Sequence, residues 1–572
     1  MQQTPSNAPA AADFELAIDH FMAGRLPDAE RACRRALAAE PAHPHALHML
    51  ALIRIGAGGL HEALALLEQA LATGVKHPAI ELAHGRLLAD LNRPGEAIAA
   101  LQRSLALDPR QPPVIALLAN MLSASGRANE ARGLLDRALA AWPEDPHLLP
   151  ASGAVHLEQG AYAKAETDLQ HALAVSPSDA ESYSNLATFY EHSNRLDEVQ
   201  RLLDSAAKLG LVNSACKLIA ARLLRSQGQA GAARALLTEL QGEKGVTPTQ
   251  QRDLQSEFGW CADALGDVSA AMLHFQEAKD RALVLAAPPL ELPEIFPRQV
   301  ASLKRFLAQN ALPSGDAPAE PTPAFLVGFP RSGTTLLDTM LGAHPRVFVM
   351  EEQPSIQAML DLYIARGLHY ADDLARLTSA HHAELRAAHQ QVSRAAGWDG
   401  VRRLVDKSPF GTSHLGLIHQ VFPAAPIVFM VRHPCDVILS CFMNNFKLHS
   451  GTVHFTRLDS TVALYCSIMD LWQLYVQRLP LKYLVLRYED LIASPEAEMR
   501  RLTGFLDLPW EPQVLDHRAA ALQRGYIPTP SYSQVSQPLY RSSSDRWRRY
   551  AAHLEPYMPQ LMPYIRAFGY EA

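Results

Sequence analysis

Small side chains return in this chain at a fixed interval of 34 residues. Ala29, Ala63, Ala97, Ala131 and Ala165 form the series, and Val199 and Ala233 continue it. Seven positions after these come Ala36, Ala70, Ser104, Ala138, Ala172 and Ala206. Proline closes several units, at Pro41, Pro109, Pro143 and Pro177. A unit of this kind is two antiparallel helices. Small residues sit where the axes cross, because a larger one would push them apart, and proline after the second helix stops it. A single pair cannot bury its apolar face, so pairs must stack into a superhelix. Seven units fit without a gap, and an eighth, around Gly259, Trp260, Ala271 and Ala278, is shifted by four residues.

The period and the alanine and proline positions resemble tetratricopeptide repeats. The expectation is an N-terminal α-solenoid over residues 10–285. The resemblance implies a concave surface that takes a protein or peptide segment, with a spacer or oligomerising role as the alternative. Residues 286–322 are Pro-rich, with the stretches APPLELPEIFPR and LPSGDAPAEPTP, and read as a linker with one short helix around Gln299–Asn310.

Beyond the linker the pattern changes. Ala324–Phe329, Arg403–Val405, Pro426–Val431 and Tyr483–Leu486 are short apolar runs separated by helical stretches. Apolar strands alternating with helices predict a parallel sheet covered on both faces, here over residues 323–570. Ligands in such sheets bind at the carboxyl ends of the strands.

The first run leads into Gly328-Phe329-Pro330-Arg331-Ser332-Gly333-Thr334-Thr335, which nearly fits the phosphate-loop spacing GxxxxGK[ST]. The amides of such a turn and the following helix N-terminus form an anion cradle, and Thr334 and Thr335 add hydroxyl donors. The lysine that grips the β- and γ-phosphates of ATP is replaced by Thr334, and the cation stands three positions earlier, at Arg331. A phosphate-loop kinase is therefore disfavoured, and a shorter anion such as a phosphosulfate suits the turn better.

The segment PRSGTT, followed by LLDTMLGAHPRVFVMEE, resembles the 5′-phosphosulfate loop of the sulfotransferase superfamily. Its arginine form is similar to that of the protein-tyrosine sulfotransferase branch and its bacterial repeat-bearing relatives. The resemblance covers residues 322–552 and implies a P-loop-like α/β fold that uses 3′-phosphoadenosine-5′-phosphosulfate as co-substrate, without a metal. The loop residues Arg331, Ser332, Gly333, Thr334 and Thr335 would hold the 5′ end. Arg432 ends the strand PIVFMV and Ser440 lies eight residues on, so the two can grip one phosphate from two sides. In the family an Arg and a Ser at this spacing bind the 3′-phosphate. By resemblance Lys407 lies beside the bond being broken, and Glu352, 21 residues after Arg331, stands at the position of the general base, with Glu351 the alternative. Tyr488 and Ser533 resemble residues close to the nucleotide. Gln537 replaces a lysine that follows the latter segment in the tyrosylprotein enzymes, and Arg541 or Arg546 is the candidate substitute.

The formal net charge of −7 argues against a nucleic-acid partner. The six cysteines are widely spaced and form no CxxC pair, which fits neither a zinc site nor a disulfide framework. No run of 18 apolar residues exists, and no basic stretch followed by an apolar one opens the sequence, so a cytoplasmic location away from membranes is expected. The function expected is a sulfotransferase with protein tyrosine as favoured acceptor. The alternatives are a small-molecule or glycan acceptor with the repeats used for assembly, and a non-catalytic repeat scaffold. Homo-oligomerisation stays open.

Overall fold

The computed structural model describes residues 8–91, 93–286, 292–316, 322–526 and 545–571. Its first part runs from helix α1 (Ala8–Met22) to α16 (Val268–Ala286), and seven helix hairpins are seen in it among the described residues. The 34-residue series lies in every second helix, from α2 to α14, and its members are 0–1% exposed from Ala29 to Ala233. Glycine takes the facing position in some first helices. A Cβ on Gly85 would meet the Leu101 side chain at 2.9 Å, one on Gly153 would meet Leu169 at 3.0 Å, and one on Gly259 would meet the Phe275 ring at 2.6 Å. The axes thus approach more closely there than any side chain permits.

The chain divides into two compact units, Met1–Leu186 and Ala187–Ala572. The first holds the hairpins up to Val175. The second holds the later repeats, including α15 (Pro248–Ala264) and α16, together with the C-terminal α/β part. Between the last repeat and the α/β part lies α17 (Leu292–Gln309), longer than the short helix expected. Pro297 sits inside it, early enough that the hydrogen bond it removes does not end the helix.

The C-terminal part is built on five parallel strands, β1 (Ala324–Gly328), β2 (Val347–Glu351), β3 (Arg403–Lys407), β4 (Pro426–Val431) and β5 (Lys482–Arg487), in the order β2-β3-β1-β4-β5. Four of these match the expected runs. β2 does not appear among them, because its apolar stretch is only VFVM and ends in two acids, and its burial is broken along its length. Successive β1 residues face opposite layers. Phe325 and Val327 join the larger core, with α17 residues such as Val300 and Leu303, while Ala324 and Leu326 join a second core with Leu337 and Met340. Both faces are covered, as a parallel sheet requires. Among the described residues no helix is long and apolar enough to cross a membrane.

If the Gly259 contact sets the spacing of the last hairpin, Gly259→Ala should cost about 1–3 kcal/mol by overpacking against Phe275. The check is the urea midpoint of the full chain, and an unchanged midpoint would show that the ring gives way freely.

Candidate active site

The turn after β1 begins with a glycine that cannot be replaced cheaply. A Cβ on Gly328 would lie 2.5 Å from the Met430 carbonyl oxygen, across the β1–β4 pair. The Gly328 carbonyl accepts from Thr412 Oγ1 at 2.7 Å, and the Leu326 carbonyl accepts from the Ser408 amide at 3.0 Å, so the segment after β3 clamps the strand end. Gly333, at φ +101°, then turns the chain into helix α18 (Thr334–Gly342). A Cβ there would lie 2.5 Å from the Tyr488 ring, so the aromatic packs directly against the loop backbone. The N-terminal amides of α18 point out of the helix at this place. Ser332 is 1% exposed, and its Oγ has no hydrogen-bond partner among the described residues. Such a buried donor is costly unless a ligand satisfies it.

Arg331 has φ +71°, a left-handed conformation that a branched or long side chain adopts only under constraint. Its Nε donates to Ser440 Oγ at 3.0 Å, and its carbonyl accepts from Arg432 Nη1 at 3.4 Å. Ser440 lies on α22 (Pro434–Met443), which follows β4, and Arg432 is the residue after β4. The structure thus joins Arg331, Arg432 and Ser440, with both of the latter touching Arg331. The Arg432 guanidinium lies 4.9 Å from the Tyr488 ring centroid. Burial, partly opposed by Cys441, and repulsion from Arg432 and Arg546 lower Arg331 to about 10, still cationic at neutral pH. Cations gathered this closely mark a place built for an anion.

Arg546 is brought to the cluster by α22. Asp436, in its first turn, accepts from the Asp545 and Trp547 amides, each at 2.9 Å. The Trp547 ring stacks on His433 at 4.7 Å with planes 8° apart. Of the two substitutes named for the missing lysine, Arg546 is therefore the one seen near the loop. Ser533, Gln537, Arg541 and the rest of 527–544 lie outside the described residues.

On the other side of the loop stands Lys407, the last residue of β3, fully buried. The β2–β3 register places Glu351 directly beside it. Its Nζ lies 2.6 Å from Glu352, 3.2 Å from Glu351 and 3.4 Å from Asp338, a residue of α18. Burial alone would lower the ammonium's pKa, but the three carboxylates outweigh it and hold Lys407 above the ordinary lysine value. Glu352 has φ +47°, and its amide donates to the Lys407 carbonyl at 2.8 Å. The Glu352 side chain is 47% exposed while that of Glu351 is 8% exposed. Of the two, Glu352 is therefore the one that opens to an incoming molecule. Asp338 escaped the sequence reading; the one signal for it is a lone acid in the apolar helix TTLLDTML. Thr412 and Asp436 carried no signal of their own.

A sulfotransferase family model matches residues 323–512, and a tetratricopeptide repeat model matches residues 88–151 and 156–223. A third, described as anaphase-promoting complex, cyclosome, subunit 3, matches residues 22–104. The C-terminal part is thus a sulfotransferase-family domain behind tetratricopeptide repeats. An uncharacterized protein of Aquifex aeolicus is 32% identical over 41% of this chain and 31% of its own length. Protein-tyrosine sulfotransferase A of Caenorhabditis elegans is 27% identical over 43% of this chain and 67% of its own. A solved sulfotransferase domain from the Synechococcus PCC 7002 olefin synthase is 25% identical, covering 41% of this chain and 91% of its own at a TM-score of 0.28.

Lys407→Met should cost about 3–5 kcal/mol, since it strips the shared cation from carboxylates that are largely buried. The folded-state value exceeds that of free lysine. The stabilisation is therefore fully present at neutral pH and fades only as pH climbs beyond the ordinary lysine range toward the folded value. Urea unfolding of the two proteins at neutral pH gives the difference.

Proposed function

We propose that this chain transfers the sulfuryl group of 3′-phosphoadenosine-5′-phosphosulfate to an acceptor hydroxyl, with protein tyrosine the favoured acceptor. The observation that carries the reading is the pairing, around one phosphate-loop turn, of a cationic cluster (Arg331 with Arg432 and Ser440) and a buried lysine held on Glu352. The unsatisfied Ser332 Oγ and the close glycine backbone fit a phosphosulfate lying in the loop. Arg432 and Ser440 would hold the 3′-phosphate, Tyr488 would border the nucleotide, and the hydroxyls of Thr334 and Thr335 would add donors at the 5′ end.

In the reaction the acceptor oxygen forms a bond to sulfur while the bond from sulfur to the 5′-phosphate oxygen breaks, releasing adenosine 3′,5′-bisphosphate. The hydroxyl proton passes to the Glu352 carboxylate, which the exposed side chain can receive from solvent-facing substrate. Negative charge grows on the leaving phosphate, and Lys407, Arg331 and the loop amides meet it. Lys407 spans the two roles, since its ammonium already touches the base. The choice of tyrosine is supported by the place of Glu352 and by the similarity to a protein-tyrosine sulfotransferase. The repeats would then bring the protein substrate or another peptide segment.

The test is incubation of the full chain with ³⁵S-labelled donor and a cell extract. Label should enter protein and be recovered as tyrosine sulfate. Label confined to small molecules would replace the acceptor assignment, and no transfer at all would remove the reaction. Lys407→Ala should lower the rate by about 10²–10³, and a variant that keeps more than half its activity contradicts the role given to the lysine.

A further inference from the structure

The last repeat hairpin reaches both flanks of the cationic cluster. On one flank Lys279 of α16, which is buried, donates from Nζ to the Asn444 carbonyl. Asn444 Nδ2 donates to the Ser440 carbonyl at 2.8 Å, and Ser440 Oγ accepts from Arg331 Nε at 3.0 Å. On the other flank Asp263 of α15 accepts from Arg549 Nη2 at 2.8 Å and from Tyr550 Oη at 2.7 Å. The Trp260 ring centroid lies 5.5 Å from the Arg546 guanidinium. These contacts seat the segment whose Trp547 stacks on His433, the residue after Arg432.

Lys279 is chemically out of place as a purely structural residue. No carboxylate forms an ion pair with it among the described residues; its surroundings are a backbone carbonyl and the Phe446 ring, 5.9 Å from Nζ. A buried cation without a counter-charge is costly, and an apolar residue of similar volume would serve packing better. An anion held at Arg331 would supply the missing charge.

We propose that Lys279 is a positioning residue of the donor site, through which the last repeat hairpin fixes the Asn444–Ser440 turn and so the placement of Arg331 on the nucleotide's phosphates. The proposal rests on the donor reading given above. It makes this hairpin a wall of the site. The ionisation of the residue gives a handle: burial, opposed by Cys441 and aided by Arg252, lowers Lys279 to about 7. Over a window around that value Arg331, at about 10, and Cys441, at about 12, keep their charge states.

The experiment is calorimetric titration of the full chain with adenosine 3′,5′-bisphosphate at pH values from about 6.5 to about 8.5. The unmodified protein should bind, with affinity falling as pH rises and Lys279 loses its proton. Lys279→Met should bind about tenfold more weakly at the acid end, with that slope gone, while its thermal midpoint without nucleotide is unchanged or higher. An unmodified protein that binds while Lys279→Met stays within twofold of it overturns this inference and leaves the donor reading standing. No binding by the unmodified protein overturns both. Should Lys279→Met fail to fold, Lys279→Gln decides instead, and binding within twofold of the unmodified protein at the acid end defeats the proposal.

Discussion

A buried ammonium keeps its charge most readily when carboxylates stand against it, and Lys407 has three of them. Glu351 comes from the neighbouring strand, Glu352 from the turn beyond it and Asp338 from the helix behind the phosphate loop. One side chain therefore ties β2, β3 and α18 to a common point. Desolvation and attraction are both large here, and the attraction prevails because three acids share one cation. The loop cannot shift without disturbing that balance, and neither can Glu352.

The sheet supplies the frame for this point. All five strands run the same way, so their carboxyl ends lie along one edge, and each end carries a residue of the candidate site. The loop with Arg331 follows β1, Glu351 and Glu352 close β2, Lys407 closes β3, Arg432 follows β4 and Tyr488 follows β5. Residues far apart in the sequence, from Arg331 to Tyr488, become neighbours only through parallel pairing. Arg331 and Arg432 gather around β1 and β4, while Glu351, Glu352 and Lys407 gather around β2 and β3. The edge is thus divided between a guanidinium side and a carboxylate side.

Much of this was legible beforehand, and for definite reasons. The repeats declared themselves because the crossing of two helices is a steric condition that alanine or glycine must meet in every unit. The loop and Arg432 stood out because an anion cradle needs glycines, hydroxyls and cations at the ends of strands, whereas Lys407 was reached through the family resemblance alone. β2 was not, because four apolar residues before two acids do not stand out from a loop. Asp338 was hidden because a single acid in an apolar helix shows its purpose only when a cation from another strand arrives beside it. The contacts of Lys279 and Asp263 with residues far along the chain were equally invisible, since periodicity speaks of packing within a hairpin and not of what the hairpin leans against.

Arg331 is held at a backbone angle that glycine would occupy without effort. The guanidinium that contacts Ser440 is thus kept in place against the local preference of its own main chain. Breeding this protein for heat tolerance alone would favour glycine at that position, so the most robust descendants of such a selection would be those that had given up this guanidinium.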